Sequence, residues 1–242
     1  MVARHDQGAP LFDSAIIADP AFSSQGNYLI VPRLLSRVNE TIALWDYRRE
    51  VADLYAMVRS SGPDEASWRL WVQSRDELFS THSQSPIDAQ AEFGGLPYFR
   101  YDDRWRTNAS FSETDPADTS LRHSGSGSTQ FRSAGLLSFE LGGVEASLEA
   151  LWLTSYGGGI FVPFRDATNG LTTYGGGRYL LDSAKGADLG MEGGSVVLDF
   201  NFSYHPSCVH SDRWSCPLAP PSNRLGFSIT AGERLSGELG DS

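Results

Sequence analysis

Between residues 130 and 204 the chain sets short runs of β-branched and aromatic residues between glycine turns, and turns this short join only antiparallel neighbours. The runs fall at 130–141, 144–154, 159–164, 178–181 and 196–204, and Gly142-Gly143 between the first two is a hairpin signal. Residues 114–128, rich in Ser, Asp, Gly and Thr, read as a mobile connection.

Upstream of Ser85-Pro86 the apolar period changes from two to three and four. Leu44, Trp45, Val51, Leu54, Tyr55 and Val58 share one face of a helix that Gly62-Pro63 closes. A second helix is expected from Pro63, taken as its first helical position, with Asp64 and Glu65 where the dipole favours acids; it would bury Trp68, Trp71, Val72, Leu78 and Phe79. The predicted class is mainly β, α+β: an antiparallel β-barrel or sandwich with an N-terminal helix pair packed against it. Residues 1–36 read as a flexible arm that docks one short strand. A single domain follows over 37–242, with the helix pair at 39–80 and the β region at 95–235.

With 242 residues, 40% of them hydrophobic, the chain is long enough to bury a sizeable core. Its net charge of -11 opposes a sequence-independent grip on nucleic acid or on an anionic membrane. No apolar run reaches the length of a membrane span, and the N-terminus lacks the apolar stretch of a signal peptide, so a cytoplasmic location is expected. Lys185 is the only lysine and lacks a phosphate-loop context, which leaves the cationic work to arginine.

The chemistry-bearing residues crowd toward the C-terminus. If the 178–181 strand forms a hairpin with 196–204, Arg178 falls opposite Asp199 or Asn201, and a charge-assisted bond follows. Strict alternation over 196–204 gives Val196, Leu198, Phe200, Phe202 and Tyr204 a core face and leaves Asp199, Asn201 and Ser203 to solvent or a pocket. His82, near the end of the second helix with Arg75 upstream, is the candidate general acid or base, and capping of the last carbonyls is its structural role. Asp166 and Thr168 read as a self-bonded turn. The triplet Gly175-Gly176-Gly177 reads as a turn into a strand rather than a phosphate cradle, because no helix follows it.

His205, Cys208, His210 and Cys216 supply four donors, but their spacing lacks the short ligand loops of a structural zinc site, and no metal or cofactor is expected. For Cys208 and Cys216 two states stay open, neighbouring thiols or a disulfide, with a reducing cytoplasm favouring the thiols.

The chain resembles a bacterial and archaeal domain family of unknown function marked by phrases of the type TYGGGRYL, DFN, a Cys before CPLxPPxN, and AGE. Here they are Thr173 to Leu180, Asp199 to Asn201, Cys208, Cys216 to Asn223, and Ala231-Gly232-Glu233. The likeness extends upstream through Arg75-Asp76, Phe79, His82, Ser85-Pro86, Gly95-Leu96 and Tyr98. His205 and His210 depart from the family pattern, which has Asn and an aromatic residue there. The resemblance implies no reaction, substrate or cofactor.

Two readings of function follow. In the first, Arg178, Asp199, Asn201 and Tyr204 line a polar pocket, approached by His82, that binds or transforms a small anionic or carbonyl-bearing molecule. In the second, the same residues form a buried hydrogen-bond network in a non-catalytic structural or interaction module. A cavity beside Arg178 and Asp199 distinguishes them, and the chain holds no complete catalytic constellation.

Overall fold

The structure, a computed structural model, describes residues 39–237; the expected arm over 1–36 lies outside them. Helix α1 (Glu40–Ser61) starts where the Asn39 side chain accepts the Thr41 N–H at 2.8 Å, and stops at Gly62, whose φ of 86° is costly for other residues. Helix α2 (Glu65–Thr81) starts on a reciprocal cap: the Asp64 carboxylate accepts from the Ser67 N–H, and the Ser67 hydroxyl accepts from the Asp64 N–H. Pro63 therefore precedes the cap instead of opening the helix, because the carboxylate satisfies an orphan donor that proline cannot.

Trp45 also departs from expectation. It sits about 200° around α1 from the buried Ala43 and is 60% exposed, so the packed stripe runs through Ala43, Tyr55 and Val58 instead. Among the described residues no helix is long and apolar enough to cross a membrane.

Eight strands follow: β1 (Arg106–Glu113), β2 (Asp118–Arg122), β3 (Ser128–Leu141), β4 (Val144–Leu153), β5 (Ile160–Phe164), β6 (Arg178–Asp182), β7 (Met191–Glu192) and β8 (Ser195–Asp199). They form one antiparallel, strongly curled half-barrel in the order β6-β5-β4-β3-β1-β8-β7, with β2 beside the first part of β3. The class is mainly β, α+β, as its turns and periods require. Gly142 and Gly143 both take positive φ, which matches the right-handed twist of the two strands they connect.

Three expectations need correction. Residues 114–128 contain β2, which pairs with β3 from Asp118↔Arg132 to Arg122↔Ser128. Only Leu121 is buried in that strand and only Ala109 in β1, so neither shows the apolar alternation that reveals a strand. The 196–204 strand ends at Asp199, whose carboxylate accepts the Asn201 N–H and turns the chain into one 3-10 turn, Phe200–Phe202. As a result the polar face is not open: Val197, Asp199, Asn201 and Ser203 are all buried. Finally, β6 pairs with β5 and meets the 196–204 run only at an antiparallel bridge between Tyr179 and Tyr204, while β8 pairs with β1 and β7, so the expected hairpin does not set Arg178 opposite Asp199 or Asn201.

One core cluster gathers alternate residues of β3 and β4, including Leu137, Phe139, Leu141, Leu148 and Ala150, with Phe164, Leu198, Phe200 and Ile229. A second joins helices to sheet through Tyr55, Val58, Trp71, Ala187 and Phe202. The segment after Phe202 crosses back over these elements and is fastened by side chains. Asn223, fully buried, accepts the Glu149 N–H at 2.7 Å and donates to the carbonyls of Glu149 (3.0 Å) and Pro163 (2.8 Å), so one amide clamps β4 and β5. Asn223→Ala leaves one buried donor and two acceptors unmatched, and chemical denaturation is expected to show a loss of about 3 kcal/mol. A loss below roughly 1 kcal/mol would show that water replaces the clamp.

Candidate functional site

The residues expected to share one pocket separate into different environments. Arg178 is fully buried, and its guanidinium donates to Asp166 Oδ2 (2.8 Å) and to the carbonyls of Ile229 (2.9 Å), Ala231 and Glu233 (3.3 Å). Its plane lies over Phe164, 5.1 Å from the ring centre. Asp166 in turn accepts from the backbone and hydroxyl of Thr168, so the self-bonded turn exists and also supplies the counter-charge for Arg178.

Asp199 and Asn201 lie elsewhere and bond to each other. Asn201 donates from both its backbone and side-chain nitrogens to Asp199 Oδ1 (2.9 and 2.8 Å), exchanges two bonds with the Asp102 backbone, and offers its carbonyl to Trp68 Nε1 at 3.0 Å. These contacts splint α2 to the end of β8.

Burial pushes the Asp199 carboxyl up to about 6, against the bonds from Asn201, and its Oδ2 has no partner among the described residues. His82 is buried at the end of α2, where it caps the helix with its N–H on Leu78 O, and its Nδ1 accepts the Gln84 N–H at 3.0 Å. That bond leaves the ring proton on Nε2, which lies 3.9 Å from Asp46 Oδ2. Asp46, Glu50 and His82 have oxygens and a nitrogen within 4.8 Å of one another, yet a cation there would need a second lone pair from a ring that has already used one. The chemistry of the donor set therefore opposes a metal.

A different set of residues does converge. Arg75 lies on the buried stripe of α2 between Trp71 and Phe79, and its Nη1 is 2.7 Å from Glu233 Oε2 and 2.5 Å from the Tyr98 hydroxyl. Its guanidinium sits 4.8 to 6.0 Å from the ring centres of Phe79, Trp71, Tyr204 and Tyr98, an arrangement favourable for a cation. Glu233 is wholly buried and receives the His205 backbone N–H at 3.0 Å.

Both departing histidines turn to this carboxylate. His205 Nδ1 is 3.4 Å and His210 Nε2 3.1 Å from Oε1. His205 Nε2 accepts the Tyr174 N–H at 3.2 Å, which fixes its proton on Nδ1, facing Glu233. Burial alone would push the Glu233 carboxyl up, but Arg75 first, then His205 and His210, hold it well below the usual range. The four donors once grouped as a metal set therefore divide, with the histidines on Glu233 and the cysteines elsewhere.

A cavity of about 70 Å³ opens beside Arg75. Tyr47, Val51, Leu54 and Tyr55 of α1 line it, with Trp71, Arg75, Leu78 and Phe79 of α2, then Lys185, Tyr204, His205 and Ser207. Of the residues predicted to hold a ligand, Tyr204 alone is on this wall. A larger depression of about 510 Å³ over the β3–β4 hairpin, lined by Ser138, Glu140, Glu145 and Ser147, is open surface without converging chemistry.

Burial pushes the Tyr47 hydroxyl up to about 12, and those of Tyr55, Tyr98 and Tyr204 upward as well, so these phenols stay protonated. Arg75 and Glu233 went unrecognised as a pair in the sequence because 158 positions separate them. The available signal was an arginine placed four residues from both Trp71 and Phe79, on a stripe that buries any charge it carries.

The fold is that of a mainly β, α+β half-barrel domain with a buried arginine–glutamate centre. A family model described as a protein of unknown function (DUF1684) matches residues 91–234, and the chain belongs to that family. The matched residues include Tyr98, His205, His210 and Glu233, while Arg75 lies upstream of them. The chain is similar to the solution NMR structure of an uncharacterized protein of Haloarcula marismortui, with 36% identity and a TM-score of 0.53 over 71% of this chain and 94% of that one. No curated protein matches the chain.

The two carboxylates should respond to pH in opposite senses. Asp199 binds its proton more tightly folded than unfolded, so it costs stability at neutral pH, and that cost is relieved as pH falls from about 6 toward 4. Asp199→Asn keeps the acceptor for Asn201; it is expected to raise stability at pH 8 by about 1–3 kcal/mol and to flatten this part of the profile. Glu233 contributes stability above its unfolded value, near 4.3, and the contribution is lost as pH falls through its depressed folded value. Urea midpoints across pH 2–8 test both signs, and a D199N profile parallel to that of the parent would exclude the assignment.

Proposed function

We propose that the domain binds a small oxyanion, a short carboxylate above all, in the cavity at Arg75. The supporting observation is the bonding of that guanidinium. Nε and Nη2 make no hydrogen bond to any described residue, although the side chain is nine-tenths buried and lines the cavity. Guanidinium donors that face a cavity without a protein acceptor are open to a ligand, and an anionic oxygen is the partner that bonds them most strongly.

The cavity has room for roughly two waters at about 30 Å³ each, which limits the ligand to a few heavy atoms. Its aromatic wall suits an apolar end such as a methyl or methylene group. Glu233 holds Arg75 in place through Nη1, and Lys185 adds positive charge at the cavity, tempered by its pair with Asp182 at 2.7 Å.

In this reading Arg178, Asp199 and Asn201 are not ligand contacts. Each is saturated by neighbours, apart from one oxygen of Asp199 and the Arg178 Nε, and they form the buried network that fixes the domain.

The test is calorimetric titration and thermal shift of the full chain with acetate and formate, with acetamide as the neutral counterpart. Saturable binding of the acids, with no response to acetamide, is expected. Val51→Phe, which fills the cavity and leaves every charged group in place, should weaken acetate binding at least tenfold while the protein stays folded. Equal responses to acetate and acetamide, undiminished binding in V51F, or no saturable response would each overturn the reading.

A further inference from the structure

Two arginines that do not line the Arg75 cavity meet where the chain leaves β5. Arg165 follows Phe164 directly and forms a parallel bridge with Arg224: the Arg165 N–H donates to the Asn223 carbonyl, and its carbonyl accepts the Leu225 N–H, each at 2.8 Å. The chain neighbours of both arginines are buried, Phe164 and Asp166 on one strand, Asn223 and Leu225 on the other. Side chains alternate along extended backbone, so Arg165 and Arg224 leave the bridge on the same outward face, about one strand spacing of 4.8 Å apart.

The backbone beneath them is held firmly. The Asn223 amide, by bonding Glu149 and Pro163, ties the bridge to β4 and β5. On the other side of Arg165 lies Gly177, with a φ of 100°; a Cβ there would stand 3.3 Å from Arg165 Cγ and 2.8 Å from the Ala219 Cβ. The stem of Arg165 therefore runs past a residue without a side chain. Arg165 is partly covered as a result, and Arg224 is exposed.

What the pair lacks is a counter-charge. Among the described residues neither guanidinium meets an acid or makes a hydrogen bond, and Arg165 Nε is closed off without a partner. Acids are not scarce in the chain, which has 30 of them against 19 lysines and arginines. Glu149, the acid that reaches this segment, accepts instead from the Ser222 hydroxyl at 3.0 Å. Like charges side by side on neighbouring strands repel, and a dianion set between them replaces that repulsion with two charge-assisted bonds. A guanidinium fork matches the oxygens of a phosphoryl group in shape as well as in charge.

We propose that Arg165 and Arg224 form a binding site for a phosphoryl dianion, either free phosphate or the phosphate of a small monoester. Arg165, pinned along its stem, is the fixed half of the site and loses little freedom on binding; Arg224 closes on the ligand from the exposed side.

The site is tested on the full chain at constant ionic strength, with chloride as the balancing anion. Backbone amide and arginine Nε–H resonances are followed by NMR during titration with inorganic phosphate and, separately, with glycerol 3-phosphate. Saturable shifts centred on residues 165 and 224 are expected; a response to both probes, or to one alone, supports the site and identifies the source of the phosphoryl group. Arg224→Gln, on an exposed side chain that the fold does not use, should weaken binding about fivefold or more, and Arg165→Gln likewise. Val51→Phe, which fills the Arg75 cavity, should leave the phosphoryl response unchanged, so the two anion sites fail or succeed separately. Shifts no larger than those from chloride, undiminished binding in R224Q, or loss of binding in V51F would overturn the proposal.

Discussion

The Arg75–Glu233 ion pair sets the terms for the rest of the molecule. A carboxylate removed wholly from water loses several kcal/mol of hydration, which only close, well-oriented partners can return. Glu233 finds them in two separate parts of the chain: a guanidinium from α2 and a backbone N–H at His205, with the imidazoles of His205 and His210 beside its other oxygen. Because each partner lies far from Glu233 in sequence or on another element, satisfying this one group brings the helix pair, the 3-10 loop and the C-terminal segment to a common point. Arg178 does the same from the sheet side, holding the carbonyls of Ile229, Ala231 and Glu233 against β6 and Asp166. The last strand-like stretch is thus fastened twice, once through its backbone and once through its carboxylate.

Between those two fastenings the polar residues take up different duties. Arg178 has traded its hydrogen-bonding capacity almost entirely for structure, whereas Arg75, largely but not wholly hidden, keeps two nitrogens uncommitted beside an internal space. The contrast rests on count and placement: four acceptors surround the first guanidinium, and one carboxylate and one phenol meet the second. The aromatic rings around Arg75 make its charge tolerable without consuming its donors, which a ring of carbonyls could not do.

Much of the fold was legible because local chemistry and global packing agree. Gly142-Gly143 turns the longest hairpin, the apolar alternation of β3 and β4 is visible in the chain, and both helices start within two residues of their polar caps. What escaped was of one kind. β1 and β2 each bury a single side chain, so no period marks them, and the run after Asp199 leaves the strand through a carboxylate cap that a strict alternation conceals. The site followed the same rule. Arg178, Asp199 and Asn201 stood out as polar residues in apolar strands, but strict alternation gave the last two an open face and the wrong strand pairing joined them to Arg178, since order within a sheet depends on contacts no short window contains. Arg75 stood on a readable helical stripe, and only its remote partner was missing.

Lys185 gives the cavity a chemical identity of its own. It is the only lysine in the chain and contributes to the wall beside Tyr47 and Tyr204, with its ammonium 5.9 Å from the Tyr179 ring centre. An acylating dye therefore has one lysine amine to find in this sequence, and it lies on the wall of the internal space. Nature has left a single conjugation handle at the position where a fluorophore would sense what enters.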